Sequence, residues 1–236
     1  MRVSTDQTPF KQQAAEHAVL TFVRSGMVVG LGTGSTSLFA IRKLGARIQA
    51  GSLQDVVGIP SSSESAELAR QAGIPLATLE NHPQIDLTID GADEMDPALN
   101  LIKGGGGALL REKMLIQASQ QFVVIADASK QSSALGSHWP IPLEVIPFGW
   151  TSQVHFLEGL GGQPQQRMGA DGTPYRTDQG NYILDCAFGP LEDPAKLARL
   201  LEARAGIVEH GLFLGLATCA IVAGPAGVQQ IDPLRR

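Results

Sequence analysis

Cysteine is nearly absent from this 236-residue chain, and basic clusters, long apolar runs and metal-ligand spacings are missing altogether. The two cysteines, Cys186 and Cys219, each lie inside an apolar, strand-like run. They read as reduced core thiols rather than as a disulfide or part of a metal site. Eighteen Lys and Arg stand against 23 Asp and Glu, a net charge of −5, and no basic run is longer than the terminal Arg235-Arg236. A nucleic-acid-binding face is therefore not expected. No apolar stretch approaches the roughly 18 residues of a spanning helix. Residues 1–8 lack the basic-then-apolar layout of a signal peptide, so the expectation is a cytoplasmic chain with no membrane partner. His17, His82, His138, His155 and His210 are scattered without ligand spacing, which argues against zinc. His138 and His155 read as surface or lid residues. Neither a G-x-S-x-G elbow nor a Walker A sequence occurs, and no internal repeat is visible.

What is present has a clear rhythm. Thr8-Pro9 reads as a capping hydroxyl followed by proline at the first helical position. Apolar residues then recur at helical spacing from Phe10 to Phe22 until Ser25-Gly26. A short strand is expected over 27–31, then a glycine-rich turn and a helix to about Leu44. Strands follow over 55–59, 74–78 and 85–90, with a helix over 63–72 stopped by Gly73. A helix over 108–119 leads into a strand over 122–126. Short apolar strands alternating with helices indicate a parallel sheet covered on both faces.

From about Leu143 the order changes to β-α-β-β-α-β: strands over 143–146, 164–168, 181–186 and 206–213, helices over 151–160 and 194–203. That is the ferredoxin-like pattern. A strand over 219–223 can return to the first domain. The expected division is a main α/β domain formed by 1–137 with 214–236, and a smaller α+β domain over 138–213.

Four segments carry candidate chemistry, each where a strand ends or a helix begins. In Gly32-Thr33-Gly34-Ser35-Thr36, glycines let backbone approach an anion and the following helix offers unpaired N–H groups. A nucleotide turn or a plain tight turn would look the same. Asp90-Gly91-Ala92-Asp93-Glu94 follows an apolar strand. Acidic helix caps are the commoner fate of such a cluster, but Asp90 should stand at the mouth of the sheet. Lys103-Gly104-Gly105-Gly106-Gly107 places a cation beside a costly glycine run, an arrangement suited to an anion or enediolate. A flexible linker is the bland alternative, and Glu112 just beyond could be a solvated helix residue. Asp127-Ala128-Ser129-Lys130 lies past another strand's carboxyl end, where Lys130 could also be an ordinary surface lysine.

Gly30-Leu31-Gly32-Thr33-Gly34-Ser35-Thr36, Ile89-Asp90-Gly91-Ala92-Asp93-Glu94, Leu101-Ile102-Lys103-Gly104-Gly105-Gly106, Arg111-Glu112-Lys113 and Ile125-Ala126-Asp127-Ala128-Ser129-Lys130 resemble the type A ribose-5-phosphate isomerases. Glu144-Val145-Ile146-Pro147, Thr177-Asp178-Gln179-Gly180-Asn181 and Gly211-Leu212-Phe213 extend the likeness to about residue 213. The resemblance implies a Rossmann-like α/β/α domain beside a small ferredoxin-like one. It implies interconversion of ribose 5-phosphate and ribulose 5-phosphate through an enediolate, in the non-oxidative pentose phosphate pathway. Glu112 would be the base, with Lys103, Asp90 and Asp93 also catalytic. Substrate would be held by Thr33, Gly34, Ser35, Thr36, Asp90, Gly91, Ala92, Asp93, Lys103, Gly104, Gly105, Gly106 and Lys130. No cofactor or metal is implied, and the partner is a homo-oligomer, first a dimer. The chain departs from the pattern in lacking an arginine in Gln153-Val154-His155, and Gln12-Gln13 leaves Lys11 as the only cation there.

The rival expectation is a non-catalytic sugar-phosphate sensor, although such regulators normally carry an N-terminal DNA-binding domain. A nucleotide-dependent dehydrogenase fits less well, because the full glycine fingerprint is missing.

Overall fold

The computed structural model describes residues 6–234. Residues 1–5 and the Arg235-Arg236 pair lie outside it. The first elements in chain order are α1 (Thr8–Phe22), β1 (Val28–Leu31), α2 (Ser37–Gln49), β2 (Val57–Pro60), α3 (Ser63–Gln71) and β3 (Ile85–Gly91). Then come β4 (Glu94–Met95), β5 (Leu101–Ile102), α4 (Leu109–Gln117), β6 (Ser119–Asp127) and a 3-10 turn over Ala128–Lys130. The remainder is β7 (Ile141–Val145), α5 (Trp150–Gly159), β8 (Gln163–Gln166), β9 (Tyr182–Ala187), α6 (Pro194–Glu202), β10 (Ile207–His210), β11 (Leu212–Phe213), β12 (Cys219–Gly224) and β13 (Gly227–Ile231).

Two compact units result. The first takes residues up to Gly91, Met114–Lys130 and Ala217–Pro233. Its six-stranded sheet runs β13-β12-β6-β3-β1-β2. The apolar runs of β1, β2, β3, β6 and β12 pair in parallel, and only the edge pair β12–β13 is antiparallel. Counted from β2, the parallel strands stand in the order 2-1-3-4-5, with the direction of winding reversing between β1 and β3. Fully buried Ala14, Ala15 and Ala18 let α1 approach closely, and Val19, Ile41, Leu44, Val29, Leu87, Val123 and Ile221 complete that core. Cys219 lies in the same core, its thiol pushed up to about 11 by burial, as a structural thiol should be.

The second unit holds Ala92–Lys113, Gln131–Leu216 and Leu234. Its four-stranded sheet, β10-β7-β9-β8, is antiparallel throughout. Numbered within the β-α-β-β-α-β sequence this is the order 4-1-3-2, so the ferredoxin-like expectation holds. Its core joins Leu143, Val145, Leu157, Leu184 and Leu201 with Cys186, whose thiol burial raises to about 12. A three-stranded sheet, β11-β5-β4, belongs to the same unit.

Several local expectations change. Thr8 is not the cap: Gln7 is, without a side-chain bond, and Thr8 N–H donates to Asp6 Oδ1 at 3.0 Å. Residues 74–78 form no strand and contribute one bridge, Leu76 to Gly58. Helix α2 runs on to Gln49. The strand expected over 206–213 breaks at Gly211, whose N–H donates to Pro142 O at 2.7 Å and whose carbonyl accepts from Lys103 N at 2.9 Å. A Cβ there would lie 2.3 Å from Lys103 O, so this crossing between two sheets needs glycine. The pairings Glu94–Ile102 and Ile102–Leu212 draw 92–113 into the second unit, whereas the sequence division began it at 138. No helix among the described residues is long and apolar enough to cross a membrane.

Candidate active site

The chain leaves β1 directly into the glycine-rich turn, at the point where the strand order reverses. In open α/β sheets that is where ligands bind. A Cβ on Gly32 would lie 1.9 Å from Asp90 Oδ1, so only glycine lets the turn close over this side chain. Asp90 is fully buried at the end of β3. Its Oδ1 accepts from Thr33 N at 3.1 Å, Ser37 Oγ at 2.9 Å and Gly91 N at 2.7 Å. Thr33 Oγ1 lies 2.7 Å from Ser61 Oγ and donates to Ser62 Oγ at 2.8 Å.

Gly34 has φ 96°, a backbone conformation that favours glycine, and its carbonyl accepts from Leu38 N at 3.0 Å. Thr36 caps α2 without a side-chain bond, and the first turn of that helix carries no acidic residue. Ser35, Thr36 and the opening amides of α2 thus make a positive helix end suited to an anion. Lys11 Nζ donates to Ser35 Oγ at 3.0 Å and adds a full positive charge. Lys130 is half-buried at the end of the 3-10 turn after β6, a turn held by Ser129 N donating to Asp127 Oδ1 at 3.0 Å. In the first unit, then, Thr33, Ser35, Thr36, Asp90 and Lys130 all stand at the carboxyl edge of neighbouring parallel strands.

Past Gly91 the chain enters the second unit, which holds the remaining candidates. Asp93 Oδ2 accepts from Gly105 N at 2.7 Å, tying the acidic segment to the glycine run. Gly104 and Gly107 have φ of 110° and 81°, and Gly107 N donates to Gly104 O at 2.9 Å, so the run is a tight turn and not a linker. Lys103 and Glu112 are 3% and 5% exposed, and Lys103 Nζ lies 3.1 Å from Glu112 Oε2. The bland readings of these residues fail here, because a solvated helix carboxylate does not sit buried against an ammonium. Burying two charges is expensive and usually gives little net stability. A pair kept under that condition points to chemistry.

Sequence reasoning missed the groups around this pair. Lys113 is also buried, donating to Glu209 Oε1 and to His210 O at 2.7 Å. The Lys103 and Lys113 ammoniums lie 5.5 and 4.7 Å from the centroid of the buried Phe213 ring. Burial holds the Lys113 ammonium below its usual range, with Glu209 opposing. His210 Nδ1 accepts from Leu212 N at 3.2 Å, and burial together with Lys113 pushes the imidazole below 6.5. Arg167 and Tyr175 contact the carbonyls of the glycine run. A Phe, a Lys beside a Glu and an Arg some 60 positions on carry no local signal of such roles. His155 is exposed beside Glu158, as expected of a surface residue. Gln153, where an arginine was absent, instead accepts from Arg204 Nε at 3.0 Å.

A buried acidic–basic pair beside a glycine turn of amides is an arrangement that an α/β isomerase can use. A profile of the family described as ribose 5-phosphate isomerase A (phosphoriboisomerase A) matches residues 57–227. Ribose-5-phosphate isomerase A of Chloroflexus aurantiacus is 56% identical over 97% of this chain and 96% of its own length. The Synechococcus protein of that name is 53% identical over 93% of this chain and 96% of its own. Among solved structures, ribose 5-phosphate isomerase A from Methanocaldococcus jannaschii matches with a TM-score of 0.91 at 39% identity, over 96% of this chain and 100% of that one. A D-ribose-5-phosphate isomerase in complex with phospho-erythronic acid gives 0.91 at 37% identity, over 94% and 97%. The chain belongs to the ribose 5-phosphate isomerase A family.

Proposed function

We propose that the chain interconverts D-ribose 5-phosphate and D-ribulose 5-phosphate through an enediolate, with Glu112 as the base. The buried Lys103–Glu112 pair carries this reading. In the open-chain aldose, Glu112 takes the C2 proton, the electron pair moves toward C1, and O1 becomes the enediolate oxygen. The protonated Glu112 returns that proton to C1 while the O2 proton passes to O1, which leaves C2 a ketone and C1 a CH2OH group. Negative charge thus leaves Glu112 as it appears on the substrate, and the Lys103 ammonium answers both states. Positive charge that matters most as the enediolate forms accelerates the step rather than tightening ground-state binding.

Asp90 and Asp93 are assigned to proton transfer at the ring and anomeric oxygens during ring opening. The phosphate belongs at Ser35, Thr36 and the α2 amides, with Lys11 and Lys130 as its cations, while Thr33, Gly34, Gly91, Ala92, Gly104, Gly105 and Gly106 line the substrate. Support comes from the relative solved with phospho-erythronic acid, a phosphorylated acid whose planar carboxylate has the shape of an enediolate. Homo-oligomerisation, as a dimer first, and a cytoplasmic site of action are part of the same proposal, and light scattering reads the former. The functional test is conversion of ribose 5-phosphate by the purified chain without added metal or nucleotide. Turnover supports the reading, and tight binding without turnover would replace it with a sensor.

A further inference from the structure

A peptide unit fixes its N–H opposite its carbonyl, so whatever holds the carbonyls of a glycine turn decides where its amides point. No cis peptide occurs among the described residues. Arg167 Nη1 donates to Gly104 O at 2.9 Å and to Gly105 O at 3.1 Å. The first contact turns Gly105 N–H toward Asp93, where the 2.7 Å bond is found. The second likewise turns Gly106 N–H away from the guanidinium, and this amide meets no acceptor among the described residues. Tyr175 OH takes the next carbonyl, Gly106 O, at 3.3 Å.

The arginine is itself fixed. Its Nε donates to Asp185 Oδ2 at 2.8 Å and its Nη2 to the other oxygen of that carboxylate, a fork-on-fork pair only 16% and 25% exposed. Eleven residues beyond Arg167, Asp178 pairs at 3.1 Å with Arg111, next to Glu112 in sequence. Thr177 and Asn181 anchor that stretch by each donating to the buried Glu144 at 2.8 Å. The motifs at 144–147 and 177–181, which the reaction itself leaves unused, thereby gain a purpose.

We propose that Arg167 is a positioning residue for isomerisation: it sets the orientation of the glycine-run amides beside Lys103 so that Gly106 N–H faces the substrate oxygen. This rests on the assignment of Lys103 and Glu112 as the reacting pair. Lys cannot reproduce the role fully, because one ammonium cannot hold two carbonyls and a carboxylate in a fixed plane.

The test is steady-state kinetics with ribose 5-phosphate on the wild-type chain, Arg167→Ala and Arg167→Lys, with Arg167→Ala repeated in sub-denaturing methylguanidinium. Misplaced amides should lower kcat roughly 10- to 100-fold in Arg167→Ala, with KM changing far less. Arg167→Lys and methylguanidinium should each restore part of kcat. If Arg167→Ala does not fold, Arg167→Lys carries the comparison through its kcat and KM. An Arg167→Ala kcat within about threefold of wild type, or a rise in KM with kcat intact, overturns the inference. So does a kcat loss that neither rescue relieves and that parallels a drop in melting temperature. A wild-type chain that fails to isomerise ribose 5-phosphate overturns the functional reading and this inference with it, whereas an active wild type beside a fully active Arg167→Ala overturns this inference alone.

Discussion

Lys103 holds two relationships at once, an ion pair with Glu112 and a place over the Phe213 ring. Replacing it with alanine should therefore do two things. Turnover should fall by more than KM rises, because in the proposed mechanism the ammonium meets charge that develops in the enediolate. The limb of the kcat–pH profile that the proposal assigns to Glu112 should also move to higher pH, because a buried carboxylate that loses a neighbouring cation is harder to ionise. A pH–rate comparison of Lys103→Ala with wild type reads both effects. An unmoved acid limb with KM alone raised would reassign Lys103 to ground-state binding. Lys103 and Glu112 were legible in the sequence because a cation before four glycines, then a carboxylate one helical turn in, is an unusual conjunction. Lys113 was not, since a lysine after a glutamate normally marks a solvated face and here turns inward to Glu209 and His210.

Among the elements, the junction between β10 and β11 holds a buried histidine that couples its stability to pH. His210 is buried there, and Lys113, Glu209 and Glu202 are the charged groups that face it. Burial and then Lys113 lower its folded pKa below 6.5, so the fold prefers the neutral ring. The unfolded chain takes up the proton first as pH falls. The contribution to stability is therefore full above about 6.5 and is lost as pH drops through that value toward the lower folded pKa. His210→Gln offers Leu212 N an acceptor without a titrating group. Its melting temperature should fall less steeply than that of wild type between about pH 7 and pH 5. Parallel curves for the two proteins would contradict the assignment. This junction was misread as one strand because β11, β5 and β4 are two residues each, too short for any alternation to register. Gly211 looked like an interior glycine, and only the approach of Lys103 and Pro142 explains it.

At the scale of the molecule, both sheet types were legible because each follows from a repeating order of apolar runs. The assignment of 92–113 to the second unit was not, since it depends on Ile102 finding Leu212 far along the chain. The site shows the same division: its parts at strand ends could be read locally, but the carbonyl-holding Arg167 could not. Among the described residues no three His, Cys, Asp or Glu side chains converge to hold a metal ion, and the proposed mechanism takes its positive charge from Lys103. Turnover should thus survive exhaustive chelation, and a loss restored by one particular divalent metal would contradict this account.

The most direct measurement on the central claim compares Glu112→Gln with the wild-type chain in three readouts: kcat on ribose 5-phosphate, substrate affinity and exchange of the substrate C2 hydrogen with deuterated solvent. Glutamine keeps the side chain's shape but removes the basic oxygen. The account predicts that kcat falls by roughly 10²–10⁴, the usual contribution of a positioned base, and that exchange collapses with it. Affinity should change little, because the substitution leaves untouched Ser35, Thr36, Lys11 and Lys130, the groups proposed to hold the phosphate. A variant that turns over within about threefold of wild type and still exchanges the C2 hydrogen would contradict the claim and pass the role of base to Asp90 or Asp93.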